Sequence, residues 1–215
     1  MNAKPSLPLR QIVAYAGFML LGLGIALLWR AYRAGPEAPI SAVQFDSATV
    51  LEAGPPLAPF ALTDQFGRPF TAANLAGHWT FFYFGYTSCP DVCPTTLKVL
   101  GQMLKRLPPE RAAAAQIVFV SVDPKRDTPD KLGKYVDYFG RGFLGVTGDD
   151  AALQALTKPL GIHYERHEAD GPTYLVDHSS NVLAVGPEGS LRMLFSPPFD
   201  SATMAANFLR VADGN

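Results

Sequence analysis

The chain has two cysteines, four residues apart, in Gly85-Tyr86-Thr87-Ser88-Cys89-Pro90-Asp91-Val92-Cys93-Pro94. A spacing of four brings two sulfurs to one side of a helical turn. They are then close enough to form a disulfide or to share one soft metal ion. A bridge closing so short a loop removes little unfolded-state entropy, so a purely structural disulfide is a weak motive for the pair. The spacing also differs from the Cys-x-x-Cys of a thioredoxin redox motif by one residue, which leaves room for a metal between the sulfurs. Two thiolates are too few for a closed zinc site but suit Cu(I), which accepts soft donors at low coordination number. A third ligand must then come from elsewhere in the chain.

Four histidines are available: His78, His163, His167 and His178. His78 precedes an apolar run and reads as a solvated loop residue. His163 and His167 share a charged stretch, His163-Tyr164-Glu165-Arg166-His167-Glu168, that reads as an exposed strand and loop, with Gly161 and Gly171 arguing against a helix. His178 leaves the apolar segment Tyr174-Leu175-Val176-Asp177, and strand ends are where a rigid scaffold presents functional side chains. By position alone a single histidine is more often packed or solvated than a ligand.

Regular elements must hold these groups. Residues 79–84 form a continuous aromatic run, predicting a strand covered on both faces, and Pro94 to Arg106 predicts a helix stopped by Pro108-Pro109. The cysteine loop therefore leaves a buried strand and enters a helix, where free amides and the dipole would favour a thiolate at Cys93. An opening hairpin is expected around residues 60–67 and a buried strand at 116–122. Helices are expected at 129–139, 150–160 and 201–211, and strands at 174–177, 182–185 and 191–195. The alternation predicts an α/β, three-layer domain of thioredoxin-like type over residues 59–215. Phe84 and Tyr86 are expected to line the site. Asp91 is expected to complement the helix N-terminus, and Asp123, Arg126 and Asp127 to form a loop fixed by an Arg–Asp pair. Asp177 should point to the opposite face from its neighbour His178.

The net charge of −1 conceals an asymmetry, because residues 1–33 hold four basic residues and no acid, leaving 14 basic against 19 acidic residues in the rest. An acidic domain lacks the clustered Lys and Arg that nucleic-acid binding needs. Residues 12–29 carry no charge, and 18 helical residues span about 27 Å, near the thickness of a bilayer core. Residues 1–33 thus read as one N-terminal transmembrane helix anchoring the chain. The competing reading, a cleaved signal peptide, lacks a small-x-small site, and no cysteine follows for lipoprotein processing. Flanking charges favour a cytoplasmic N-terminus by a small margin. Residues 34–58 read as a Pro-rich linker.

Taken with the anchor, three segments resemble the Sco/SenC family of copper proteins: Phe84 to Pro94, Val120-Ser121-Val122-Asp123-Pro124-Lys125-Arg126-Asp127-Thr128-Pro129, and Val176-Asp177-His178-Ser179. The resemblance runs from about Pro59 to the C-terminus; Gly186 departs from it by standing where the family's hairpin turn often has Asp. It implies copper, as Cu(I) or also Cu(II), bound by Cys89, Cys93 and His178, with Cys89 and Cys93 forming a disulfide when oxidised. It further implies delivery of copper to, or preparation of, the Cu(A) site of cytochrome c oxidase. Implied partners are the oxidase subunit carrying that site and another copper chaperone or a thioredoxin-like reductant. The domain would face the bacterial periplasm from the inner membrane, or the intermembrane space from the mitochondrial inner membrane. Two alternatives stay open: a thiol-disulfide reductase acting without copper, and a peroxidase, which needs one activated cysteine and no histidine.

Overall fold

All seven residues of Trp79–Gly85 are buried, which demands cover on both faces and makes this strand the natural centre of a sheet. The computed structural model of the protein describes residues 9–33, 42–45, 47–52 and 54–214. In chain order its main elements are α1 (Leu9–Arg33), β1 (Ala42–Phe45), β2 (Ala48–Leu51), β3 (Ala61–Asp64), β4 (Pro69–Thr71), β5 (Trp79–Gly85), α2 (Val92–Arg106), α3 (Pro109–Ala113), β6 (Ala115–Ser121), α4 (Pro129–Asp137), β7 (Phe143–Thr147), α5 (Asp150–Thr157), β8 (Tyr164–Arg166), β9 (Val176–His178), β10 (Val182–Val185), β11 (Leu191–Phe195) and α6 (Ser201–Ala212). Nine strands form one sheet in the order β1-β2-β11-β10-β5-β6-β7-β3-β4, and β8 pairs with β9 as a separate hairpin. The middle of the sheet, β5-β6-β7, is parallel and is flanked by antiparallel strands on both sides.

Strand parity assigns the faces of β5. Phe81 packs edge-on against Phe208 of α6 at 5.2 Å, and Tyr83, two residues on, packs against Phe119 of β6. Phe119 in turn meets Tyr135 of α4 at 5.2 Å. Phe82 and Phe84 stack on each other on the opposite face. Helix starts follow local chemistry: Asp149 and Asp200 accept from the amides of Ala152 and Thr203 at 2.8 Å, while Thr128 caps α4 with Pro129 in its first turn.

Several boundaries differ from the sequence reading. The stretch expected to be linker contributes β1 and β2 to the sheet edge; Met193 to Phe195 of β11 supply the ladder that captures β2. Residues 34–41, 46 and 53 lie outside the described residues. Strand β7 was not expected, because Gly145 interrupts its apolar pattern. Its Cβ would come within 3.0 Å of Leu132, so the glycine lets α4 lie directly on the strand. The hairpin turn with Gly186 closes with the Gly189 amide donating to the Gly186 carbonyl at 2.9 Å, and β10 carries a bulge at Ala184/Val185.

The N-terminal unit is α1, a single helix of 25 residues. The side chains of residues 9, 10, 12–14, 16 and 29–33 lie outside the described set. No helix among the described residues is long and apolar enough to cross a membrane. Within residues 17–28 the large apolar side chains Phe18, Met19, Leu20, Leu21, Leu23, Ile25, Leu27 and Leu28 are all exposed.

Phe208 wedges between Trp79 and Phe81 and is fully buried. Phe208→Ala is expected to destabilise the domain by about 3–5 kcal/mol, measured as a lower urea midpoint at unchanged slope.

Candidate metal centre

Two long-range constraints and one local one bring the site together. Gly85 ends β5, and a Cβ there would lie 2.7 Å from Cys93 Sγ and 3.0 Å from Phe119, so only glycine leaves the thiol room. The chain then turns, with the Cys89 amide donating to the Tyr86 carbonyl at 3.2 Å, and α2 begins. The third side chain arrives on β9, which is held against β8 in the register Tyr164↔His178. Cys89 Sγ, Cys93 Sγ and one His178 ring nitrogen all lie within 4.8 Å of one another. Among the described residues this is the one such cluster of three metal-ligating side chains.

The His178 tautomer follows from its neighbours. Nδ1 lies 3.1 Å from the Ser179 carbonyl oxygen, which can only accept, so Nδ1 carries the proton. Nε2 is then the ring nitrogen turned to the thiols, 3.4 Å from Cys93 Sγ. The ring meets Tyr83 and Tyr86 edge-on at 6.1 Å. A cleft of about 480 Å³, lined by His163, Tyr164, Glu165, Asp177, His178 and Ser179, opens beside it.

Both cysteines are free thiols and both are buried, Cys93 completely and Cys89 to 9% exposure. They are not equivalent. The Cys93 thiol donates to Cys89, and the amides of Cys93 and Asp91 add their bonds, so the Cys89 thiol falls to a pKa of about 5 against the opposing effect of burial. The same shared proton, together with burial, pushes Cys93 far up. Cys93 lies in the first turn of α2, as the sequence implies, and α2 starts at Val92 rather than Pro94; the amides of Cys93 and of the capping Asp91 reach back to the Cys89 sulfur and help lower its pKa.

The surrounding residues divide similarly. Tyr86 lines the site as expected, but Phe84 faces away, and the residue sharing the site's face is Tyr83. The Tyr83 hydroxyl is buried beside Cys93 and Thr96 without a hydrogen bond of ordinary geometry, and burial raises its pKa strongly. Asp91 caps no amide with its side chain and instead accepts from the Thr95 hydroxyl at 3.3 Å. Asp177 turns away from the cysteines and pairs with His167 at 2.8 Å, while His78 and His163 stay exposed. Asp123 does pair with Arg126, and it also accepts the Tyr174 hydroxyl at 2.6 Å, tying the loop after β6 to the segment that leads into β9. Arg126 lies 3.6 Å over the Tyr174 ring and donates to the Tyr174 carbonyl, closing that tie.

Alkylation should therefore separate the thiols by pH. Cys89 is protonated and slow below about pH 5, and its rate should rise through that pH and level off above it. Mass mapping should find Cys93 unmodified until far more alkaline conditions. Gly85→Ala should abolish this order by displacing Cys93, with both thiols then reacting near the ordinary cysteine pKa of about 8.5.

Similarity to known proteins agrees with this geometry. The family model described as SCO1/SenC matches residues 50–213. A putative copper-binding protein of Stutzerimonas stutzeri is 43% identical over 131 residues, 61% of this chain and 64% of that protein, so the match spans just under two thirds of the relative. An SCO2-like protein of Rickettsia felis is 34% identical over 174 residues, covering 80% of this chain and 82% of its own length. Among solved structures, copper-bound ScoI of Arabidopsis thaliana superposes with a TM-score of 0.69 at 29% identity, over 74% of this chain and 99% of that one. The fold is thus the thioredoxin-like α/β fold of these proteins, and the chain belongs to the SCO1/SenC family.

Proposed function

We propose that this chain is a membrane-anchored copper-binding protein that delivers copper to, or prepares, the Cu(A) site of cytochrome c oxidase. The observation that carries the reading is the convergence of two sulfurs and one imidazole nitrogen within 4.8 Å in a largely buried pocket. Two soft thiolates and a neutral nitrogen suit Cu(I) and fall short of the four ligands of a structural zinc site. Cys89 and Cys93 would supply the sulfur donors, and His178 would present Nε2 while Ser179 fixes its tautomer. Copper bound there would supply one-electron redox chemistry, with Cu(II) as its second state. The match to a putative copper-binding protein and the likeness to copper-bound ScoI support the metal, and the Sco family is one of cytochrome c oxidase assembly proteins.

Residues 1–33 would hold the protein in the inner membrane, since the exposed apolar side chains of α1 need a non-aqueous surrounding. The domain would face the periplasm, or the intermembrane space in a mitochondrion, where an exported dithiol meets oxidants and copper. Its partners would be the oxidase subunit carrying Cu(A) and a second copper chaperone or a thioredoxin-like reductant that opens the Cys89–Cys93 disulfide. One observation favours a second reading: an activated Cys89 beside a protonated Cys93 is also the arrangement a thiol-disulfide reductase needs.

His178 separates the two. His178→Ala should weaken Cu(I) binding by roughly 100-fold or more, above the cost of losing an outer partner of a metal ligand, while the dithiol still cycles with its disulfide. If that variant matures the oxidase in cells as well as the wild type does, while cysteine variants fail, the reductase reading replaces the chaperone one. Orientation is tested by an impermeant thiol reagent on intact reduced cells, which should label Cys89; labelling only after lysis reverses the topology.

A further inference from the structure

Asp127 is fully buried, and a carboxylate in that position is costly unless every lone pair is used. Four donors converge on it. Oδ2 accepts from the Thr87 amide at 2.8 Å and the Ser121 hydroxyl at 2.6 Å. Oδ1 accepts from the Thr87 hydroxyl at 2.6 Å and from Lys131 Nζ at 3.0 Å. Lys131 reaches on to Ser88 Oγ at 3.3 Å and to the Arg126 carbonyl at 3.1 Å.

The bonded residue, Thr87, sits inside the turn that Tyr86 and Cys89 close, two residues before the Cys89 sulfur. Cys93 is located by different means, namely its place in α2 and the hollow above Gly85. The two sulfurs are therefore held by separate parts of the fold. Asp127 spans 40 residues of sequence to hold one of them.

We propose that Asp127 is the positioning residue for Cys89: it pins the turn through Thr87 and so sets the separation at which the two sulfurs can grip one ion. The proposal deepens the metal-site reading and rests on it for its purpose, but the test does not need copper. Phenylarsine oxide bonds two thiols at once and reports their spacing, whereas iodoacetamide reports Cys89 alone.

In Asp127→Ala all four acceptor bonds are lost and the turn is released. Phenylarsine oxide affinity should fall roughly tenfold or more, a loss of the size seen when an outer partner of a metal ligand is removed. Iodoacetamide should still alkylate Cys89, and unfolding should stay cooperative. Should Asp127→Ala not fold, Thr87→Val removes only the hydroxyl arm, and a smaller loss in the same direction is expected. Asp127→Asn tests the cause. Its amide can turn the NH₂ toward the half-exposed Lys131, which can swing out, and keep its oxygen on the Thr87 amide. Affinity should then return close to wild type. Unchanged arsenical affinity in a folded Asp127→Ala or Thr87→Val overturns the proposal, as does an Asn variant as weak as Ala, which would mean that the charge acts and not the anchor. Lower arsenical affinity with unchanged Cu(I) affinity upholds the positioning and sinks the dithiol copper reading instead.

Discussion

The structure depends on a strand that has no exposed side. Burying all of Trp79–Gly85 requires helices against one face and further apolar cover on the other, and it leaves the chain no freedom until Gly85, where it must exit into the cysteine turn. Because β5 is anchored on both sides by β6 and β10, its end is among the best-fixed points of the sheet. Gly85 then fixes Cys93 by steric fit. The geometry of the candidate metal site is in this sense an extension of core packing, which tolerates little volume change.

Against that rigid end stand three polar ties that place the rest of the site. Asp127 holds the turn before Cys89, Asp123 with Arg126 and Tyr174 holds the segment leading to His178, and Ser179 fixes the ring. Arg166 adds a bond to the Val122 carbonyl at 2.6 Å, bringing the β8–β9 hairpin onto the same loop. Buried carboxylates gain little for stability relative to apolar residues of similar volume, but they specify one arrangement when all their partners are present. A site built from three separate chain segments has an evident use for such specificity.

The convergence of the candidate ligands was legible in the sequence and their surroundings much less so. Cys89, Cys93 and His178 stand out because residue type, spacing and strand-end position coincide. Phe84 was mistaken for a wall of the site because a strand buried on both faces has no alternation to reveal which side chains face which way. Only a ring pair such as Tyr83–His178 settles that. Helix α2 starts two residues before its sequence signals suggest, within the usual blur of helix ends, which brings its capping amides within reach of Cys89 as well as Cys93. Strands β1 and β2 were hidden among prolines and β7 behind Gly145, since each is held by pairing or close packing with distant residues. Asp127 read as loop polarity because its partner lies 40 residues away.

His178 lies 85 residues from Cys93, so the complete candidate ligand set exists only while the domain is folded, whereas the two cysteines are neighbours in any state of the chain. A soft ion can therefore also bind the unfolded dithiol. By mass action, metal stabilises the fold only to the extent that it binds the native chain more tightly than the unfolded one. A rise in melting temperature on loading would thus measure the imidazole and preorganisation, with the sulfur contribution largely cancelled. The same difference bounds retention: thermal or proteolytic opening of the domain would leave the ion on a two-sulfur fragment, accessible to any competing thiol.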